Sequence, residues 1–396
     1  MNPFTFEAEH FFQTYKRLPL DIDRGEGVYL YTKDGTRYLD MFAGIAVNAL
    51  GHGHDGIIRA IEEQSRKYVH LSNYFVQKPQ IALARLLLTS SGYDRVFFSN
   101  SGTEATEGAI KIARAFGSSR GKTEIVGFSN GFHGRTMGAL SIMDRSKYRE
   151  TFGPFLDDCR VESFNNPVGL RSVVSSHTAA LVLEFIQGEG GVRTVTPEFI
   201  EAIESLRKEF GFLLIADEIQ SGLGRTGKFF AFQHFGVKPD LVLVAKSLGG
   251  GLPLGAILGK SLVAELLQPG THGSTFGGNP VACAAGLVVL TELIEHGIMN
   301  HAAAIGKMLM KELWRIQAAH SSLVAEVRGY GLMLGMELSV DAEPIAEALR
   351  EKHILVNVTD KTVLRILPPL IINEHQVNKF VRALNEVLAA IDTARK

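Results

Sequence analysis

The sequence predicts an α/β fold in which a large domain holds a mostly parallel sheet covered by helices, and a smaller α+β domain follows it. Three patterns favour this fold. Short runs in the middle of the chain are apolar at consecutive positions, as expected for strands that are buried on both faces. Helical patterns separate these runs, which is typical of a sheet with helices on both sides. From Asn279 onward, long helical patterns and then strand-like runs replace this alternation.

The individual elements follow from local patterns. A hairpin is predicted over Gly27–Leu39, with its turn at Lys33–Thr36. Helices are predicted over Glu104–Phe116 and Pro197–Phe210. Beyond residue 279 we expect long helices to residue 319, strand-like runs between residues 323 and 369, and a last helix from residue 374 to about residue 394. The apolar runs predict five strands, at Arg95–Ser99, Glu124–Phe128, Ala179–Phe185, Phe212–Ala216 and Leu241–Ala245.

The chain has 396 residues, which is enough for two or more domains. We expect residues 1–50 to pack with the C-terminal domain and residues 51–279 to form the large domain. Residues 280–396 then form the small α+β domain.

Composition excludes several classes of protein. Lysine and arginine number 41 against 42 aspartates and glutamates, so no overall positive charge attracts nucleic acid or anionic lipid. The N-terminus lacks the apolar core of a signal peptide, and no apolar stretch approaches the roughly 20 residues of a membrane helix. The two cysteines form neither a disulfide framework nor a zinc motif, and no metal site is predicted. We therefore expect a cytoplasmic protein.

Glycine is frequent: 41 of the 396 residues are glycine, about a tenth of the chain, whereas the usual share is about 7%. Many of these glycines follow the predicted strands, at the sheet edge where α/β proteins bind ligands. Asn100–Thr103 follows the first apolar run and opens a helix, as a phosphate-binding segment does. Serine and threonine are also ordinary helix caps, so this segment alone does not decide between the two interpretations.

Two charged segments follow neighbouring apolar runs. Asp217 and Glu218 come after one run, and Lys246 comes directly after the next. A lysine here either reaches solvent or is a desolvated amine suited to covalent catalysis. An amine, a carboxylate and an anion-binding helix start together match the needs of pyridoxal 5'-phosphate. Phe132 also follows an apolar run, and either stacks on a cofactor ring or belongs to the core.

The segments together resemble one family over nearly the whole chain, from Tyr15 to Val387. That family is the class III pyridoxal-phosphate aminotransferases, a subgroup of fold type I. Within it the acetylornithine aminotransferases are the most similar group, and the ornithine δ-, succinylornithine, succinyl-diaminopimelate and 4-aminobutyrate aminotransferases stay as alternatives. The matching motifs lie at Arg24–His54, Phe97–Ala105, Gly131–Thr136, Ile186–Val192, Ile215–Gly227, Leu243–Ala256 and Gly273–Pro280.

The resemblance implies a role for each matching residue. Lys246 binds the cofactor covalently and moves the substrate proton, and Asp217 pairs with the pyridine nitrogen. Thr275 completes the phosphate site of a partner subunit, so a homodimer is expected. The cofactor-binding residues that the resemblance implies are Ser101, Gly102, Thr103, Phe132, Asp217, Glu218, Ile219, Gln220, Lys246 and Thr275.

The resemblance also implies a substrate-binding set. Arg135 binds the carboxylate of the amino donor, and Arg365 binds the α-carboxylate of glutamate. Glu189 neutralises Arg365 when the donor is bound, and Ser274 and Tyr15 complete the set. The implied reaction moves the distal amino group of N-acetylornithine, or of a related acylated diamino acid, to 2-oxoglutarate in arginine biosynthesis. A non-catalytic or isomerising member of the fold is the alternative class, but separate recognition of glutamate speaks against it.

Three positions depart from the family pattern without removing a cofactor ligand. Phe185 replaces a proline, Asp55 replaces a proline and Thr106 replaces an asparagine. Phe185 adds bulk beside the Glu189 segment, where a change of pocket shape is expected.

Overall fold

A seven-stranded sheet forms the centre of the molecule in the computed structural model, which describes residues 3–395. The strands of the described residues are β1 (Ile22–Glu26), β2 (Tyr29–Thr32), β3 (Arg37–Asp40), β4 (Arg95–Ser99), β5 (Glu124–Phe128), β6 (Cys159–Glu162), β7 (Thr178–Leu183), β8 (Ile186–Gln187), β9 (Arg193–Thr194), β10 (Leu213–Asp217), β11 (Leu241–Val244), β12 (Gly255–Gly259), β13 (Val324–Tyr330), β14 (Met333–Leu338), β15 (Ile354–Leu355), β16 (Asn357–Thr359) and β17 (Val363–Ile366).

Helices cover the sheet and make up much of the C-terminal third. The helices of the described residues are α1 (Pro3–His10), α2 (Ala43–Ala46), α3 (Asp55–Lys67), α4 (Lys78–Ser91), α5 (Gly102–Ser118), α6 (Met137–Ser141), α7 (Ser146–Arg149), α8 (Pro167–Val173), α9 (Pro197–Phe210), α10 (Ser261–Ala264), α11 (Pro280–Ile294), α12 (Ile298–Ala319), α13 (Glu343–Glu351) and α14 (Glu374–Arg395). Two 3-10 turns lie at Ala231–His234 and Lys246–Gly249.

The central sheet has the order β4-β12-β11-β10-β7-β5-β6. The five strands from β11 to β6 pair in parallel, and β12 is antiparallel to both of its neighbours. The five predicted strands are confirmed to within a few residues. β6 and β12 were not predicted, because β6 is short with two charged residues and β12 begins and ends with glycine, which lowers strand propensity.

Strand direction gathers the predicted functional segments at one edge of the sheet. β4 and β11 are both antiparallel to β12, so they run the same way. Asp217, the last residue of β10, pairs with Leu243 of β11, and Lys246 follows two residues after β11 ends. The helix α5 begins at Gly102, just beyond β4. The carboxyl ends of β4, β10 and β11 therefore lie side by side.

A second sheet positions Arg365. It has the antiparallel order β13-β14-β17-β16, and Arg365 of β17 pairs with Gly335 of β14 and Asn357 of β16. The predicted hairpin is confirmed as β2 and β3. β3 continues into a parallel pair with β15, in which Leu39 lies opposite Ile354, so the hairpin shares a sheet with the C-terminal part of the chain.

One apolar core runs through all three predicted segments. A single cluster of buried side chains includes Leu39, Leu214 and Leu364. The proposed division into residues 1–50, 51–279 and 280–396 therefore stays a prediction, and its outer ends, residues 1, 2 and 396, lie outside the described residues. A second cluster, which includes Ala109 and Ile215, packs α5 against the sheet.

The helices of the described residues differ from a membrane span in length or in hydropathy. Taken singly, none of them is both long and apolar enough to cross a bilayer. The consecutive helices α11 and α12 meet the criterion only as a pair, bent by 62°, on length and composition alone.

Candidate active site

A cavity of about 450 Å³ lies at the carboxyl edge of the central sheet. It brings together residues from each of the strand-end segments predicted above. The predicted residues that line it are Ser101, Gly102, Thr103, Phe132, Arg135, Asp217, Ile219, Gln220 and Lys246. The cavity is therefore the candidate active site.

Lys246 presents an amine with an altered acidity to this cavity. The residue has a positive φ of 46° and opens a 3-10 turn directly after β11. Within the described part of the chain, its Nζ has no hydrogen-bond partner. Burial lowers the pKa of Lys246 to about 8, although the negative charge of Glu189 acts in the opposite direction. A much larger fraction of this amine than of an ordinary lysine is therefore uncharged and nucleophilic near neutral pH.

Asp217 is held in place by a buried histidine. The Nδ1 atom of His133 lies 2.7 Å from Oδ2 of Asp217, and the backbone N–H of Ile219 donates to Oδ1 at 3.1 Å. Burial disfavours the charged imidazole, but the hydrogen bond and charge of Asp217 outweigh burial and raise the pKa of His133. Thr106 donates its hydroxyl to the His133 carbonyl at 2.9 Å, which fixes the backbone of this residue.

Glu184 fixes the segment that carries Phe132. Its carboxylate accepts from the backbone N–H of Phe132 at 2.8 Å and of Gly188 at 3.3 Å. Burial raises the pKa of Glu184 to about 7. Phe132 lies edge-on to Tyr148, with 5.7 Å between the ring centroids, and lines the cavity.

The start of α5 offers free backbone donors. Ser101 caps the helix by accepting from the N–H of Glu104 at 3.3 Å. Among the described residues, nothing accepts from the N–H groups of Gly102 and Thr103. The helix is 17 residues long and its N-terminus carries partial positive charge, so these donors suit an anion. Gly134 packs so closely here that a Cβ on it would lie 2.1 Å from Oγ1 of Thr103.

Arg365 is almost fully buried, with 1% of its surface exposed. Its Nη1 lies 2.5 Å from Oε1 of Glu189 and 3.3 Å from Oε1 of Gln220. The opposite side of the guanidinium donates from Nε to Oδ1 of Asn357 at 2.9 Å. Burial disfavours the Glu189 carboxylate, but the charge and hydrogen bond of Arg365 outweigh burial and lower the pKa of Glu189.

Arg135 is the second guanidinium at the site. It is exposed and lines the cavity, and its guanidinium lies 4.0 Å from the centre of the Tyr148 ring. The described residues supply no carboxylate partner for it. A charged group with this setting is available to a carboxylate from outside the chain.

Glu218 does not face the cavity, although the sequence placed it with the cofactor-binding residues. Its carboxylate accepts from the N–H groups of Ala231 and Phe232, each at 2.9 Å, and from the Ser221 hydroxyl at 2.8 Å. Successive side chains of an extended chain point to opposite faces, so Asp217 and Glu218 face different sides. Burial raises the pKa of Glu218 to about 7, and this carboxyl group organises the 3-10 turn over residues 231–234.

Glu189 and Arg365 do not line the cavity themselves, although Arg365 contacts its lining residue Gln220. Three further predicted residues, Thr275, Ser274 and Tyr15, also lie outside the cavity of their own chain. Thr275 and Ser274 line a separate cavity of about 690 Å³. The Ser274 hydroxyl accepts a hydrogen bond at 3.0 Å from the side chain of Asn100, which lines the candidate active site. Tyr15 is 71% exposed, and the guanidinium of Arg17 lies over its ring, 5.6 Å from the ring centre. One chain alone therefore does not bring these side chains into the site.

The three departures from the family pattern also have defined positions. Phe185 is fully buried and packs on Phe232 and Phe235, so its bulk fills the core and does not line the cavity. Asp55 is the first residue of α3, where an acidic side chain favours the helix dipole. Thr106 supports His133, as described above.

Sequence reasoning did not assign a role to His133 or Glu184. Each carried a usable signal. His133 directly follows the aromatic residue at a strand end, and Glu184 is an acidic residue near the end of an otherwise apolar run. Both touch a predicted cofactor residue through a hydrogen bond, which a sequence pattern does not reveal.

The profile of the class-III aminotransferase family matches residues 11–388. The chain belongs to the class-III aminotransferases. It is 43% identical over 378 residues to acetylornithine aminotransferase of Archaeoglobus fulgidus, covering 96% of this chain and 98% of that protein. It is also 43% identical over 391 residues to acetylornithine aminotransferase of Caldanaerobacter subterraneus, covering 98% and 99%.

Solved structures give the same family and confirm fold type I. Ornithine aminotransferase from Toxoplasma gondii superimposes with a TM-score of 0.94 and 31% identity, covering 99% of this chain and 95% of that chain. Acetylornithine aminotransferase from Elizabethkingia anophelis superimposes with a TM-score of 0.86 and 29% identity, covering 98% of each. The chain is therefore a pyridoxal-phosphate-dependent aminotransferase.

The residues of the cavity fit pyridoxal phosphate. Among residues 3–395, the amine of Lys246 has no hydrogen-bond partner and the first two N–H groups of α5 stay free for a phosphate. Asp217 offers a carboxylate held by His133. These are the three interactions that the aldehyde, the ring nitrogen and the phosphate of the cofactor require.

Proposed function

We propose that this aminotransferase moves the distal amino group of N-acetylornithine to 2-oxoglutarate, giving the semialdehyde and glutamate, as a cytoplasmic step of arginine biosynthesis. The names of the relatives at 43% identity support this choice of donor. A related acylated diamino acid is the nearest alternative, and ornithine and 4-aminobutyrate are further ones.

Each cavity residue has a task in this proposal. Gly102 and Thr103 hold the phosphate, with Ser101 at the cap, and Phe132 and Ile219 hold the ring. Bound pyridoxal phosphate withdraws electrons from the substrate carbon that loses its proton. The amine of Lys246 would hold the cofactor until the amine of the substrate displaces it. The freed amine would then take up and return that proton, for which a pKa of about 8 is well suited.

Asp217 would keep the ring nitrogen of bound pyridoxal phosphate protonated, and Gln220 would bind near its ring hydroxyl. His133 in turn holds Asp217 by the 2.7 Å contact, so its effect reaches the cofactor through the carboxylate. Glu218 is left out of the cofactor-binding set, because its carboxylate is occupied elsewhere.

Substrate recognition requires carboxylates to be bound at two places. Glutamate carries one beside its reacting carbon, whereas N-acetylornithine reacts through its distal amine and carries its carboxylate far away. We assign Arg135 to the donor carboxylate and Arg365 to the α-carboxylate of glutamate. The single observation that carries this assignment is the buried pair between Arg365 and Glu189, which leaves Arg365 neutralised until an outside carboxylate replaces Glu189.

The proposal is tested with a panel of amino donors against 2-oxoglutarate, compared by kcat/KM. N-acetylornithine, N-succinylornithine, succinyl-diaminopimelate, ornithine and 4-aminobutyrate form the panel. We expect N-acetylornithine to give the highest value, and a higher value for another donor would replace it as the substrate.

We further propose a homodimer in which Thr275 of each chain completes the phosphate site of the other. Thr275 lies outside the cavity of its own chain. Tyr74, which lines the same separate cavity as Thr275, and Phe276, the next residue in the chain, are exposed aromatic side chains. Mixing the variant Lys246→Ala, expected to be inactive, with the variant Thr275→Ala, expected to be impaired, tests this. A hybrid dimer carries both defects in one site and none in the other, so activity should partly return. Failure to recover activity in a verified hybrid would contradict the shared site.

A further inference from the structure

Hydrogen bonds from two separate segments of the chain hold the backbone of Glu189. Its carbonyl oxygen accepts from Nη2 of Arg145 and from Oγ1 of Thr359, each at 2.6 Å. Arg145 directly precedes α7 on the side of the central sheet, and Thr359 ends β16 of the smaller sheet. Two residues farther on, Arg328 binds the Gly191 carbonyl through Nε at 2.9 Å and Nη2 at 2.6 Å. Any change of partner by Glu189 is therefore a side-chain movement.

The guanidinium of Arg145 has one unused hydrogen-bond donor on the edge that binds the Glu189 carbonyl. The Nε and Nη2 groups of an arginine donate from one edge of the guanidinium. Arg328 uses both of them on Gly191, and Arg365 uses both on Asn357. In Arg145, Nη2 binds the Glu189 carbonyl, while Nε is buried and has no hydrogen-bond partner among the described residues.

The exchange of partners at Arg365 needs a second cation. When glutamate places its α-carboxylate on Arg365, the carboxylate of Glu189 loses its partner in a setting where only 20% of its side chain is exposed. An unpaired carboxylate in such a setting is costly. Arg145 bonds to the carbonyl of the same residue, and its positive charge already helps to lower the pKa of the Glu189 carboxyl group. A change of side-chain rotamer would bring the carboxylate closer to it.

We infer that Arg145 is the second partner of Glu189, which receives its carboxylate while Arg365 holds the α-carboxylate of glutamate. This inference rests on the proposed function, because it assumes that Arg365 binds glutamate. Arg145 is then a positioning residue that acts through Glu189 and touches neither substrate nor cofactor. It selectively favours the glutamate-bound state, since Glu189 stays on Arg365 when the donor is bound.

The test compares the two half-reactions of the holoenzyme in the variant Arg145→Gln, followed by the absorbance of the cofactor in single turnovers. We expect the apparent KM for glutamate to rise at least tenfold, because the Glu189 carboxylate would lose a charged partner in a largely buried position. The maximal rate with glutamate and both parameters with N-acetylornithine should stay within about twofold. Arg145→Lys keeps the charge and should recover part of the glutamate affinity.

Two controls separate this role from simple anchoring of the loop. Thr359→Val removes the other hydrogen bond to the same carbonyl but no charge, so it should affect both half-reactions alike. Arg149→Gln removes a neighbouring guanidinium that binds the Met143 carbonyl and should change neither. The inference is overturned if Arg145→Gln leaves the KM for glutamate unchanged, or if it affects both substrates equally. If instead the wild-type holoenzyme does not react with glutamate at all, the proposed function has failed.

Discussion

The guanidinium of Arg365 lies between Glu189 and Asn357, bonded to the first through Nη1 and to the second through Nε and Nη2. The pair with Glu189 joins residues 176 positions apart in sequence, one on the loop after β8 and one on β17. A cation this deeply buried is stable only while a negative partner remains. In the proposed function, the identity of that partner distinguishes the two substrates.

The variant Arg365→Ala should impair the glutamate half-reaction much more than the donor half-reaction. Loss of a buried partner for a carboxylate costs about 2–5 kcal/mol. We therefore expect the second-order rate constant for the reaction with glutamate to fall by roughly two orders of magnitude. The donor half-reaction should change less than tenfold. Single-turnover spectra with each substrate measure both, and Arg193→Ala, at an exposed ion pair with Glu337, is the control. Equal damage to the two half-reactions would argue against the assignment.

The variant Lys246→Ala should abolish turnover and still bind pyridoxal phosphate. In the proposed mechanism, its loss removes the covalent bond and the proton carrier, while Asp217 and the start of α5 stay in place. Equilibrium dialysis should detect bound cofactor, and steady-state assays should detect no product. Lys228→Ala, an exposed lysine that binds the Gln233 carbonyl, serves as the control. Measurable steady-state activity in Lys246→Ala would remove Lys246 from the mechanism.

Much of this arrangement was predictable, for identifiable reasons. Lys246 and Asp217 stand at the ends of apolar runs, and parallel strands bring such ends together, so the sequence alone placed them in one site. Glu218 was wrongly assigned to the cofactor-binding residues, because the motif alone does not show that the side chains of Asp217 and Glu218 point to opposite faces. The roles of Arg365 and Glu189 could be predicted only from the family resemblance. No sequence pattern indicated a role for Arg145, because that role depends on a contact with a carbonyl 44 residues away.

The acidity of Lys246 should depend on Glu189. Burial lowers the pKa of Lys246 to about 8, and the carboxylate of Glu189 opposes that shift. The uncharged amine is the form that reacts with the cofactor aldehyde, so the rate at which cofactor-free protein captures pyridoxal phosphate should rise with pH, with a midpoint near 8. Glu189→Gln removes the opposing negative charge and should move the midpoint to lower pH. Glu292→Gln, in an exposed pair with His296, should leave it in place. A midpoint that moves upward in Glu189→Gln would contradict this electrostatic relationship.

The pair of His133 and Asp217 should stabilise the fold in a pH-dependent way. The pKa of His133 is raised in the folded protein, so its contribution to the free energy of unfolding is fully present below the ordinary histidine pKa of about 6.5 and is lost as pH rises through the folded value. His133→Gln should therefore cost about 3 kcal/mol at pH 5.5, as expected for a broken buried pair, and clearly less at high pH. Denaturant unfolding of cofactor-free protein at pH 5.5 and pH 9 measures the difference. His296→Gln removes an exposed pair with Glu292 and should cost under about 1 kcal/mol at both values. A cost for His133→Gln that grows with pH would mean that the buried imidazole is neutral, and that Asp217 is held by a neutral hydrogen bond.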